Sequence, residues 1–236
     1  MIATGILENA FVRLEPLRLD HVGALVAAAQ EAPGLYALAP VPADADGMDA
    51  YVRAALADAE ALRVVPYAIV RKAPGIGGDR SAGGDQSGGG DRIVGSVRFM
   101  SLEWWRWPDR PIHVAGEPRQ AEAGDPPDVV EVGHAWLAAS AVRTAVNTSA
   151  CLLMLAHAFE VWRVHRVTLK TDARNARSRA AIDRIGARFE GVLRSHLPAA
   201  DGIVRDTAMY SLLPGEWPDV KQRLESALAR AQNGER

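Results

Sequence analysis

Cysteine is almost absent from this 236-residue chain. A single thiol, Cys151, excludes an intrachain disulfide and a cysteine-based metal centre. In "SACLLMLAHAFE" it reads as a small core hydrophobe. Lysine is nearly as scarce: 3 of the 27 basic residues, the other 24 being arginine. That bias reads as a base-composition habit of the genome and not as a phosphate-binding signal. The six histidines show no HxxxH or HxH spacing, so no metal is expected. The longest apolar run, "ACLLMLA", is far too short to span a bilayer, so no membrane partner is expected. The N-terminus lacks a basic-then-apolar leader pattern, which makes a cytoplasmic protein the default expectation. A net charge of −2 argues against broad nucleic-acid binding, which usually needs a basic face.

What remains is ordinary globular composition, 48% hydrophobic and 24% charged, enough to bury a real core. "FVRLEPLRLDHVGALVAAAQ" predicts a strand, a turn and a helix, with Asp20 as N-cap and Val22, Leu25 and Val26 as its apolar stripe. "GMDAYVRAALADAEAL" predicts a second helix with Met48, Val52, Leu56 and Leu62 inward. "VVPYAIVRK" and "RIVGSVRFMSLE" read as strands. Residues 73–91 between them carry eight of the 21 glycines and almost no apolar side chains, and predict a flexible hairpin insertion. No GK[ST] or helix follows that would make it a phosphate loop. Then come a tryptophan-rich irregular stretch (Trp104, Trp105, Trp107), a strand "VVEVGHAWLA", a helix "NTSACLLMLAHAFEVW" and a strand "VHRVTLKTDA". A Gly186-stopped helix, an antiparallel pair around "PAADG" and a last helix over 218–232 complete the chain. The order β-α-α-β-β-β-α-β-α-β-β-α predicts one domain over 1–236: an α/β (α+β) fold, a central mixed, mostly antiparallel sheet with helices on both faces.

Two strand-to-helix junctions carry candidate chemistry. After "EVGHAWL", the segment "VRTAVNTSA" brings free backbone N–H groups and a positive helix end to a strand's carboxyl edge, a setting suited to pyrophosphate. Short residues there (Ala145, Asn147, Thr148) permit close approach of an anion, and Arg143 adds charge. By spacing alone the same segment is equally an ordinary N-cap by Asn147 or Thr148. At the second junction, "NARSRAAIDRIGARFEG" places Asn175 and Ser178 at the mouth of a helix. Asn175 reads as an N-cap. The pair can also face a ligand.

The succession "VEVGHAWL", "RTAVNTSACLLMLAHAFE" and "N-x-x-S-x-x-A-I-x-R-I-G-A-x-x-E-G" resembles the GNAT superfamily of N-acyltransferases. The RimJ/RimL type, ribosomal-protein N-terminal acetyltransferases and their relatives, is the nearest likeness. The resemblance covers residues 10–213 and is strongest over 129–194. It implies acetyl-CoA as cofactor, contacted by Trp136, Leu137, Arg143, Thr144, Ala145, Val146, Asn147, Thr148 and Asn175. It implies direct transfer of an acetyl group to a primary amine, either a protein N-terminus or a small molecule. Two departures stand out. The family loop Gln/Arg-x-x-Gly-x-Gly/Ala is held here by Val142, Ala145 and Asn147, without glycine. A glutamate that some relatives carry after the "EG" strand is here Leu197.

Acetylation requires that an ammonium lose a proton and that the oxyanion and departing sulfur meet donors. Glu131, on the "VEVGHAWL" strand, is the candidate base, against the alternatives of a solvated strand residue or a plain counter-charge. Ser178 is the candidate proton donor implied by the family, against a structural first-turn hydroxyl. Asn175 is implied at the pantetheine arm. His134 and His196 are reserves, His134 also bordering the acceptor. Trp104 and Trp105 are candidate acceptor-site residues; their alternative roles are capping the core or forming a homodimer contact. A non-catalytic acyl-CoA-binding or association module of the same fold remains the alternative reading.

Overall fold

The structure, a computed structural model, describes residues 5–73, 90–106 and 125–234. A two-residue strand β1 (Leu7–Glu8) turns into β2 (Val12–Pro16) around Asn9, whose side-chain oxygen accepts from the backbone N–H groups of Phe11 and Val12. Helix α1 (Val22–Gln30) buries Leu25, Ala28 and Ala29, with Val22 and Val26 packed beside them. Asp20 does not cap it: a 3-10 turn over Leu19–His21 precedes the helix, and the Asp20 carboxylate bonds Arg18 instead. Helix α2 (Ala45–Glu60) is capped by Asp44, which accepts from Gly47 N–H at 2.8 Å, and turns Met48 and Val52 inward. Leu62 is not part of that stripe. The helix ends before it, its φ is 57°, and it is exposed.

Strands β3 (Val64–Arg71) and β4 (Arg92–Glu103) pair antiparallel down to Arg71 opposite Arg92. Residues 74–89 of the glycine-rich stretch, and Trp107 with the connection up to 124, lie outside the described residues. β5 (Val129–Leu137) leads to α3 (Ala145–Ala156), which runs on into one π-helical turn over His157–Val161. β6 (Arg166–Asp172), α4 (Ala176–Ile185), β7 (Arg188–Pro198), β8 (Val204–Leu212) and α5 (Trp217–Gln232) follow. Gly186 ends α4 at φ 104°, a conformation that suits a residue without Cβ.

The eight strands form one sheet in the order β1-β2-β3-β4-β5-β6-β8-β7. Every neighbour pair is antiparallel except β5 with β6. Tyr51 of α2 reaches Ser96 on one face of the sheet. On the other, Phe99 meets His157 and Trp162 beyond α3, and Arg179 of α4 meets Tyr210. The sheet thus lies between two apolar layers, with helices on both faces as expected. The parallel pair is the feature that matters for function. β5 and β6 pair only through Val129–Arg166, Val130–Val167 and Glu131–Thr168, although both strands continue. Past Glu131 they separate.

Candidate functional site

The separation of β5 and β6 opens a wedge at their carboxyl ends, and the two helices that follow start at its rim. Thr144, not Asn147 or Thr148, is the N-cap of α3: its hydroxyl donates to Ala141 O at 2.7 Å and accepts from Val146 N–H at 3.3 Å. Ala145, Val146, Asn147 and Thr148 therefore form the first turn, whose N–H groups have no intrahelical partner. Val146 turns its side chain into the core while Ala145 and Asn147 stay half-buried. Arg143 is exposed and left-handed at φ 61°, the backbone shape that glycine adopts most readily. The loop in front of it is anchored by Ser140. Its N–H donates to Glu31 at 2.7 Å and its hydroxyl at 3.1 Å, while Arg92 bonds the same carboxylate. Glu31 and Arg92 are distant in sequence and carry no motif, so only the fold reveals them.

At the other rim Asn175 caps α4, accepting from Ser178 N–H at 3.0 Å. Ser178 is half-buried in the first turn, and its hydroxyl has no hydrogen bond among the described residues. The turn before it is fixed by Asp172, buried and bonded twice by the Arg174 side chain, which also reaches Asp201. That pairing holds the Asp172 carboxyl below its usual range. A short turn over Pro33–Tyr36 bridges both sides: Tyr36 donates to Leu137 O at 2.8 Å, and Arg177 of α4 donates to Leu35 O at 2.7 Å. Trp136 is buried edge-on against Tyr36, with ring centres 5.6 Å apart.

At the apex of the wedge sits Glu131. It is no solvated strand residue: only 4% is exposed. Lys170 of β6 lies 2.8 Å from its Oε2, and Ser101 donates to the same oxygen at 3.1 Å. Oε1 rests against Gly133, where any Cβ would stand 2.8 Å from it. Gly133 thus gives the carboxylate its room. The next residue, His134, has φ 48° and occupies a bulge, since Gly133 pairs with Arg98 and Trp136 with Ser96. Although the residue as a whole is exposed, desolvation of its ring, then Arg98, Lys170 and Arg205, push the imidazole down to about 4.

The structure therefore brings Glu131 and His134 to the apex and bulge, Trp136, Leu137 and residues 143–148 to one rim, and Asn175 and Ser178 to the other. Trp104 and Trp105 stand elsewhere, at the ends from which β5 and β6 start. Trp104 donates to Asp125 O at 3.0 Å, Trp105 N–H donates to Asp128 at 2.8 Å, and the Trp105 ring stacks on His165. His196, on the β7 edge, is half-buried. Cys151 packs against the core, where burial pushes its thiol up to about 12, and is no nucleophile. Among the described residues no cluster of His, Cys, Asp or Glu could hold a metal, and no helix is long and apolar enough to cross a membrane.

Comparison with known proteins agrees with this geometry. Residues 12–188 match the model of the acetyltransferase (GNAT) domain. The Bacillus subtilis (strain 168) protein named "Putative ribosomal N-acetyltransferase YdaF" is 35% identical over 91 residues, 39% of this chain. The match spans about half of that relative, 49% of its length. Among solved structures, a "putative acetyltransferase" from T. thermophilus is 31% identical, with a TM-score of 0.69 over 97% of this chain and 100% of that one. Mycobacterium smegmatis RimJ, solved in complex with CoA-disulfide, shares the fold at 21% identity, with a TM-score of 0.64 over 94% of this chain and 93% of its own. A wedge between two parallel strands, flanked by two helix N-termini and matched over three quarters of the chain by one family, makes this protein a member of the GNAT acetyltransferases.

Proposed function

We propose that the chain transfers an acetyl group from acetyl-CoA to a primary amine, either a protein N-terminus or a small molecule, by direct attack while both are bound. The observation that carries this reading is the wedge itself. It combines unpaired strand edges past Glu131 with the open first turn of α3. That donor set fits the coenzyme: strand amides suit the pantetheine arm, and the N–H groups of Ala145 and Asn147, with Arg143 beside them, suit the pyrophosphate. Asn175, whose oxygen serves the cap, keeps its NH₂ for the pantetheine arm. Bound acetyl-CoA supplies a thioester activated toward amines.

The chain's own residues do the rest. Glu131 Oε1, free of the Lys170 and Ser101 contacts, accepts the ammonium proton directly or through one water. Backbone N–H groups at the His134 bulge, turned out of the ladder, serve a developing oxyanion. As the new C–N bond forms and the thioester C–S bond breaks, the Ser178 hydroxyl would hydrogen-bond the departing thiolate and keep its own proton. The B. subtilis relative, named a putative ribosomal N-acetyltransferase, supports a ribosomal-protein amine as one acceptor class.

Thermal melting with acetyl-CoA tests the reading. One-site linkage gives about 2.7 kcal/mol at a hundredfold excess over Kd. An unchanged melting temperature at millimolar acetyl-CoA would sink the coenzyme assignment. Thiol release across an amine library then identifies acceptors.

A further inference from the structure

Arg98 is the least explained charge among the described residues. It lies on β4 opposite Gly133, so its neighbours on that face of the sheet are the Glu131 carboxylate and the His134 bulge. Only 6% of it is exposed, and its Nε and Nη2 are buried without a hydrogen-bond partner. No carboxylate among the described residues pairs with it. The nearest support is the Tyr51 ring, 4.4 Å from the guanidinium carbon, and the Tyr51 hydroxyl is engaged with Ser96 at 3.1 Å. The surrounding charge does not compensate. Glu131 is already paired with Lys170 and Asp172 with Arg174, while Arg205 has its own buried, unpartnered Nε.

A buried lysine or histidine can shed its proton to escape this situation, but arginine cannot. A buried, unpaired guanidinium is strongly unfavourable, so a chain retains one where an anion arrives to meet it. The pyrophosphate belongs at the α3 N-terminus, on the rim of the wedge. Arg98 faces the apex, where the amine must come.

We propose that Arg98 binds a carboxylate or phosphate group of the acceptor, so that the favoured substrates are amines bearing an anion close to the reacting nitrogen. The proposal deepens the acetyltransferase reading and rests on it. The bidentate fork of the guanidinium orients the acceptor while Glu131 holds the amine, which spaces the two charges of the substrate across the Arg98–Gly133–Glu131 stretch.

The test compares thiol release from acetyl-CoA for paired acceptors: aminocarboxylates and aminophosphonates against their neutral amides, and peptides with Asp against Asn at the second position. Wild type favours the anionic member by about tenfold to a hundredfold in kcat/KM, the worth of a hydrogen bond to a charged group. The peptide and small-molecule arms show which source supplies the anion. Arg98→Met abolishes the preference and Arg98→Lys keeps part of it, while the Kd for acetyl-CoA stays within about threefold, as no phosphate contact is lost. A second readout needs no turnover. Because Met removes an unpaired buried cation, the ligand-free melting temperature of Arg98→Met stays level or rises, and glutarate or inorganic phosphate stabilises wild type but not the variant. Equal kcat/KM for charged and neutral acceptors, or a preference that survives Arg98→Met, overturns the proposal and leaves the acetyltransferase reading standing. Absence of any acetyl-CoA melting shift sinks that reading instead.

Discussion

Glu131→Gln probes the apex most directly. Glu131 Oε2 lies 2.8 Å from Lys170 Nζ, and only 4% of Glu131 and 18% of the Lys170 side chain are exposed. At that separation, with an effective dielectric near 20, the Coulomb attraction is roughly 6 kcal/mol before desolvation is subtracted. Removing one member of such a pair leaves a poorly solvated cation and typically costs about 3–5 kcal/mol. For a chain of this size that loss lowers Tm by roughly 6–20 °C. Activity falls as well, by about 10²–10⁴-fold if the carboxylate accepts the proton. These effects separate in the double variant Glu131→Gln with Lys170→Met, which removes the stranded charge. Urea unfolding of the four proteins in the cycle, alongside steady-state turnover per folded molecule, measures both. Stability recovers in the double variant and turnover does not. Recovery of turnover together with stability would refute the base assignment and leave Glu131 as a scaffold for Lys170.

Ser178→Ala lowers turnover by about 10²–10⁴-fold with little change in the Kd for acetyl-CoA, because a donor to the departing sulfur acts late in the reaction. Turnover within about threefold of wild type would leave it a helix residue only. Shortening the 73–91 connection to a tight turn leaves stability nearly unchanged by urea unfolding: Arg71 and Arg92 already pair, and loop closure changes by only about 0.6 kcal/mol per doubling of length. Lost coenzyme affinity would instead give that connection a binding role. The folded state holds His134 neutral down to about 4, while the unfolded chain takes up its proton near the ordinary value of 6.5. Stability therefore falls as pH drops from about 6.5 toward 4, and His134→Asn flattens that part of the profile. An unchanged slope would show that another group governs it.

Most of the architecture was legible because the apolar pattern changes period at nearly every boundary. "RIVGSVRFMSLE" reads as a strand and is β4 from end to end, and Gly186 stops α4 at the left-handed turn that its sequence position suggests. The errors share one cause, local competition. Asp20 has the chemistry of a cap, but Arg18 two residues away takes its carboxylate. Leu62 continues a helical stripe on paper, yet the helix has already ended. At the second junction, the Asn175 cap on the Ser178 N–H was readable from the motif because that contact is local. Lys170 beside Glu131, Gly133 making room for a carboxylate, and Arg98 buried without an anion arise from pairing between strands distant in sequence. No spacing rule predicts how far a parallel pair stays closed, so the wedge itself was not legible in the sequence.

The short pairing of β5 with β6 also has a mechanical consequence. A three-residue ladder is all that joins a five-stranded slab, β1 to β5, to a three-stranded one, β6, β8 and β7, within the sheet. A seam with so few ladder bonds resists flexing less than the longer antiparallel pairs beside it. A ligand laid along the wedge fastens to both slabs at once, so it extends the seam and raises the resistance of the whole sheet to flexing. Amide protons at 129–131 and 166–168 then report occupancy by slower exchange with solvent, even though none of those residues has to touch the ligand.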